Sequence, residues 1–109
     1  MQEHRHQRFI SILNKGLNEF LLEELPANPG TVITISYLEV TEKETVVKAH
    51  ISVFPVESRE GVEESLKTLE NKAGGYLRKN LRLRNVPIIK FVPDRGEDKR
   101  ERIEELLKL

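Results

Sequence analysis

The amino-acid sequence predicts an α+β domain, a three-stranded sheet with helices on one face. Three observations predict it. Apolar residues recur at helical spacing near the start of the chain and again in its middle. Two intervening segments are rich in β-branched residues, and the second alternates apolar with polar. A short polar link, Glu42-Lys43-Glu44, joins these two as an antiparallel hairpin. With 109 residues the chain is one domain by size, with a modest core.

The first helix is expected over residues 3–25. Phe9, Leu13, Leu17, Phe20 and Leu21 form its apolar stripe, with Ile10 and Leu25 at the edges. Gly16 weakens it slightly, and Pro26 with Asn28-Pro29-Gly30 stops it. Residues 31–40 read as a strand with Ile33, Ile35 and Tyr37 on one face. In the strand at 45–54, Val47, Ala49, Ile51 and Val53 point inward, while Lys48, His50 and Ser52 face water. After Pro55, a second apolar stripe of Val62, Leu66, Leu69, Ala73, Leu77 and Leu81 keeps one helical phase. It is interrupted by Gly74-Gly75. Adjacent glycines inside a helix cost about 1 kcal/mol each against alanine, so two helices joined by an interhelical kink at Ala73, Gly74 and Gly75 are expected. A third strand follows within 86–93, with Pro87 at its entrance and Ile89 and Phe91 inward.

The order is therefore α-β-β-α-α-β. Residues 1–94 form the domain, and residues 95–109, with Ile103, Leu106 and Leu107 as a short apolar stripe, form a charged C-terminal helical extension. This is the element order of the type II K-homology (KH) fold. KH domains that grip single-stranded RNA do so with a Gly-x-x-Gly loop between the central helices. No Gly-x-x-Gly occurs here, so that grip is excluded.

Composition narrows the function further. The 18 basic and 18 acidic residues cancel, which argues against a strongly basic nucleic-acid coat protein. The charges are nevertheless segregated. Residues 57–70 carry Glu57, Glu60, Glu63, Glu64 and Glu70 against Arg59 and Lys67. Residues 72–90 carry only cations: Lys72, Arg78, Lys79, Arg82, Arg84 and Lys90. With no acid in the interval to pair with, and with arginines suited to phosphate forks, this run is the expected RNA-docking face. Its bland alternative is a solvated helix face. Tyr76 is placed to stack on a base, although its position beside the apolar stripe favours partial core packing.

Other chemistry finds little support. Cysteine is absent, which excludes disulfides and thiolate metal sites and fits a reducing, cytoplasmic setting. The N-terminal stretch has no apolar core, so no secretory signal is expected, and no apolar run is long enough to span a bilayer. His4 and His6 alone make a weak metal pair, and His50 is expected on the surface. Phosphate-cradling glycine motifs are missing. Ser52, Ser58 and Ser65 have no histidine and acid at readable spacing, and Glu60, Glu63 and Glu64 suit the exposed start of a helix. A non-enzymatic chain without metal, cofactor or small-molecule substrate is the result. A protein-interaction module without an RNA role is the second reading, and a metal-dependent hydrolase using His4 and His6 is the weakest.

The segment Ala73-Gly74-Gly75-Tyr76-Leu77-Arg78, followed by Leu81-Arg82-Leu83-Arg84, Val86-Pro87 and Phe91, resembles the most characteristic stretch of the bacterial ribosome-binding factor A family. Arg8 in the first helix, Glu39-Val40-Thr41, the run Val47-Lys48-Ala49-His50-Ile51-Ser52-Val53, and Asp94 with Arg102-Ile103 and Leu106 are similar to it as well. The chain departs from the family pattern at Asn28-Pro29-Gly30, around Thr41-Glu42-Lys43, and at His50, where an aromatic is usual. The resemblance implies a non-catalytic maturation factor for the small ribosomal subunit. Such a factor binds the free 30S particle and its 16S rRNA, assists processing and folding, and supports growth in the cold. A monomer with Arg5 and Arg8 as additional RNA contacts is expected.

Overall fold

The computed structural model describes residues 2–25 and 29–94. Helix α1 (Gln2–Glu24) leads into strands β1 (Val32–Val40) and β2 (Val46–Phe54), a 3-10 turn (Val56–Ser58), helix α2 (Arg59–Leu81) and strand β3 (Ile88–Pro93). The expected helical extension at 95–109 lies outside the described residues. The strands form one mixed sheet in the order β1-β2-β3, with β1 antiparallel and β3 parallel to β2. Both helices pack on one face of it.

Two expectations about this framework change. The second apolar stripe forms one helix, not two: α2 runs unbroken for 23 residues through Ala73, Gly74 and Gly75. Tertiary packing of the stripe outweighs the local preference of glycine. There is consequently no interhelical joint at these residues, and no helix N-terminus there to offer free N–H groups. The second change is in β1. The pairing Ile35↔Ile51 is followed by Tyr37↔His50, leaving Ser36 as an extra residue. Such a bulge reverses the alternation of side chains beyond it. Ile33 and Ile35 pack on the core, but so do Leu38 and Val40, while Tyr37 turns to the opposite face. There its ring stacks on His50 with centroids 4.0 Å apart. His50 is therefore buried rather than a surface histidine, and its Nε2 shares a hydrogen bond with Glu39 Oε1.

The fully buried core is drawn from both helices and from β2 and β3, and β1 packs against it through the partly buried Ile33, Ile35, Leu38 and Val40. Leu13, Leu17 and Phe20 of α1, Val47, Ala49 and Ile51 of β2, Leu66, Ala73 and Leu77 of α2, and Ile89 of β3 are all at most 3% exposed. The hairpin turn is held by Thr41, whose Oγ1 accepts the Thr45 and Val46 N–H groups at 3.0 and 3.1 Å. At the free side of β3, the Phe91 N–H donates to Glu70 Oε2 at 2.8 Å. This satisfies an edge amide that would otherwise be open to another strand.

The helices are antiparallel. Phe20 meets Tyr76 with ring centroids 5.3 Å apart, and Glu24 meets Lys72. Their approach is governed by Gly16, where an added Cβ would lie 3.0 Å from Leu81 Cδ1 and 3.2 Å from Leu77 Cδ2. Gly16→Val is expected to overpack this contact and lower stability by about 1–3 kcal/mol. Thermal unfolding checks this, at roughly 4–8 °C of Tm per kcal/mol for a domain of about this size.

Candidate nucleic-acid interface

All eight cations expected at the RNA face, namely Arg5, Arg8, Lys72, Arg78, Lys79, Arg82, Arg84 and Lys90, are exposed. They are not equivalent. Lys72 Nζ donates to Glu24 Oε2 at 2.8 Å, and Lys90 Nζ lies 3.8 Å from Glu70 Oε1. The sequence interval between them holds no acid, but α1 and the earlier part of α2 supply one across the fold. Arg5, Arg8, Arg78, Lys79, Arg82 and Arg84 make no ion pair among the described residues.

Antiparallel packing places these six towards one end of the helix pair. Moving towards the start of α1 from Glu24 through Phe20 to Gly16, the partners on α2 advance from Lys72 through Tyr76 to Leu77 and Leu81. The first turns of α1, with Arg5 and Arg8, thus extend past the end of α2, towards the segment carrying Arg82 and Arg84. His6 Nδ1 lies 3.2 Å from Glu44 Oε2, and the Ile88 N–H donates to Thr45 O at 2.9 Å. The hairpin turn and the entry to β3 therefore share this end of the molecule. At the other end lie Glu23 and Glu24 of α1 and Glu57, Glu60, Glu63 and Glu64 around the start of α2. The unpaired cations thus lie towards the end that also carries the hairpin carboxylates Glu42 and Glu44, and the acidic stretch at the start of α2, with Arg59 and Lys67 among it, lies towards the other.

Helix dipoles sharpen the asymmetry. Arg78 and Lys79 occupy the last turn of α2, where cations stabilise the helix. Arg5 and Arg8 sit near the positive end of α1, against its own dipole, so their positive potential adds to that of the unpaired N–H groups there. A polyanion would meet both contributions at once.

The small residues separate by role. Ala73 is fully buried on the apolar phase, Gly74 is half-buried, and Gly75 is exposed. An added Cβ would lie 3.8 Å from Val86 Cγ1 at Gly74 and would meet nothing within 4 Å at Gly75. The glycine that close helix approach requires is Gly16. Its place within the apolar stripe of α1, between Leu13 and Leu17, was the available signal. Arg82 closes α2 in the left-handed conformation, φ 53° and ψ 39°.

Tyr76 packs on Phe20 at a tilt of 56° and borders a groove between the helices with Glu23, Glu24, Lys72 and Lys79. Burial, then Glu23 and Glu19, pushes its phenol above the ordinary tyrosine value. No group of three or more potential metal ligands occurs among the described residues. No described helix is long and apolar enough to cross a membrane.

Comparison with known proteins agrees with the architecture. The family model for ribosome-binding factor A matches residues 5–107. The chain belongs to the ribosome-binding factor A family. A ribosome-binding factor A from Prosthecochloris aestuarii is 33% identical, over 95% of this chain and 87% of the relative. One from Coprothermobacter proteolyticus is 27% identical, over 98% and 78%. Among solved structures, the crystal structure of ribosome-binding factor A from Thermus thermophilus superposes with a TM-score of 0.67 at 20% identity, covering 83% of this chain and 96% of that one. A Thermus thermophilus ribosome-binding factor A homology model, fitted into a cryo-EM map of its complex with the 30S subunit, gives 0.66 at 21% identity over 79% and 91%. A solution structure of a Thermotoga maritima protein described as a ribosome-binding factor A gives 0.66 at 26% over 83% and 87%. The KH-like reading of the fold stands with these relatives.

Tyr76 supplies a pH test within this ribosome-binding factor A fold. Its folded pKa lies above the unfolded value of about 10, so the fold favours the neutral phenol. Its contribution is fully present below pH of about 10 and is lost as pH rises through the folded pKa. Ultraviolet titration is expected to show Tyr76 ionising at higher pH than free tyrosine, with Glu23→Gln bringing it down.

Proposed function

We propose that this protein is a maturation factor that binds the free small ribosomal subunit through 16S rRNA and assists its processing and folding without catalysis. The observation that carries the reading is the basic end, assembled from α1, the end of α2 and the segment before β3. Family membership supports the subunit as partner, as does the relative fitted into a map of a 30S complex.

Arg78, Lys79, Arg82 and Arg84, with Arg5 and Arg8 beside them, hold phosphates of the rRNA backbone. Lys72 and Lys90 join by exchanging their carboxylates for phosphate, because exposed ion pairs are weak. The acidic end repels other parts of the RNA and orients the approach, as separated charges do over the range of a Debye length. The protein acts by binding one conformation of the subunit better than another, since only a differential affinity shifts such an equilibrium. It works in the cytoplasm as a monomer and needs no cofactor or metal.

The test is co-sedimentation with isolated 30S subunits across a salt series. Association should weaken with salt, with a log–log slope of about 0.7–0.9 per phosphate contact. Changing Arg78, Arg82 and Arg84 together to Ala should flatten that slope by about 2–3 and largely abolish association at moderate salt. Binding unchanged in the triple variant would overturn the site assignment. A partner retained at high salt after nuclease treatment would favour a protein-interaction module instead.

A further inference from the structure

Burial is uneven on the face of the sheet that carries neither α1 nor α2. The outward row of β2 is Lys48, His50, Ser52 and Phe54, because Val47, Ala49, Ile51 and Val53 point into the core. At one end of this face Phe54 and its β1 partner Val32 are 68% and 54% exposed, and at the other Ile88 is 59% exposed. Between them His50 and Asp94 are only 5% and 8% exposed. Tyr37 stacks on one side of the His50 ring, and Val92 is its partner in β3. Strand neighbours alone do not close a sheet face to water, so the middle of this face has a need for cover that its two ends do not share.

The chain leaves the sheet at this place. β3 runs parallel to β2, and its last residue, Pro93, pairs with Ile51. The Asp94 N–H donates to Ile51 O at 2.8 Å, and Ser52 Oγ lies 3.4 Å from Asp94 Oδ2, which brings the Asp94 side chain to the outward row. The sequence beyond reads as a turn and then an amphipathic helix. Gly96 suits the turn, Asp98 precedes Glu101 at capping-box spacing, and Ile103, Leu106 and Leu107 form one apolar stripe. The lengths agree. A helix over residues 99–109 extends about 16 Å, and the β2 row from Ser52 back to Val46 extends about 20 Å.

We propose that residues 99–109 dock on this face as a helix, turned back at Gly96, with Ile103, Leu106 and Leu107 seated over Tyr37, His50 and Val92. The occupant is the chain's own segment because attachment at Asp94 holds it at an effective concentration of about 1 mM, above that of a free second copy. Docking removes apolar surface from water on both sides of the contact. It leaves the cations of α1 and α2 uncovered on the far side of the sheet, so it stands independently of RNA binding.

Nuclear Overhauser contacts in the full chain test this. The methyl groups of Ile103, Leu106 and Leu107 should show contacts to the Tyr37 ring and the Val92 methyls in isotope-labelled protein. In an equal mixture of labelled and unlabelled protein, filtered for contacts between molecules, those signals should vanish. Signals that survive the filter put a second copy on the face and overturn the proposal, as does their absence from the fully labelled sample. A mutant cycle reads the same contact through stability. Val92→Ser and Leu106→Ser should each lower Tm by several degrees. The double variant should lose clearly less than the sum of the two, because both changes remove one shared contact. Additive losses, or an unchanged Tm in Leu106→Ser, would sink the docking.

Discussion

How closely α1 can approach α2 decides most of what this domain is. At Gly16 even a Cβ would lie closer to Leu77 and Leu81 than ordinary contacts allow, so any side chain there would push those leucines aside. Close approach lets Leu13, Leu17 and Phe20 join Leu66, Leu77 and the inward side chains of β2 in one buried cluster. Interiors packed at crystalline density tolerate little slack at such a contact. The same contact sets the direction in which the helices run, and so decides which charges become neighbours.

That direction turns two ordinary helices into a polarised molecule. Each carries basic residues towards one end and acidic ones towards the other, and antiparallel packing aligns like with like. Helix stability alone would not choose this for α1, whose cations crowd its positive end and whose carboxylates Glu23 and Glu24 crowd its negative end. The Lys72–Glu24 pair relieves part of this at the acidic end. The uncompensated part is at the start of α1, where Arg5 and Arg8 lie beyond the level of Leu81, at which α2 ends. A neutral protein can thereby present a strong local potential to a polyanion without becoming a general nucleic-acid binder.

Much of the fold was legible because periodicity reports burial directly. The stripes of α1 and α2, the alternation of β2 and the inward Ile89 and Phe91 of β3 all follow from it. Two features were not. The bulge at Ser36 turns Tyr37 onto His50, and nothing in the local pattern of β1 distinguishes a skipped residue from regular alternation. The continuity of α2 through Gly74-Gly75 was hidden for a different reason. Local preference argues for a break, whereas the stripe on either side is held against α1 and the sheet as one surface. The basic run was readable as a candidate site from 72–90 alone. The neutralisation of Lys72 by Glu24 and of Lys90 by Glu70 was not, because each carboxylate reaches its partner from another part of the fold.

The sequence by itself determined the class of fold, the inward residues, the absence of thiol chemistry and the concentration of cations between positions 72 and 90. These depend on residue type and spacing along a single element, which is where side-chain hydrophobicity and backbone preference act. Only the tertiary structure decided which cations stand unpaired, that Gly16 rather than Gly75 serves the helix contact, and that His50 is buried. Each of those is a relation between elements distant in sequence, set by packing and by the few ångströms over which ion pairs and van der Waals contacts operate.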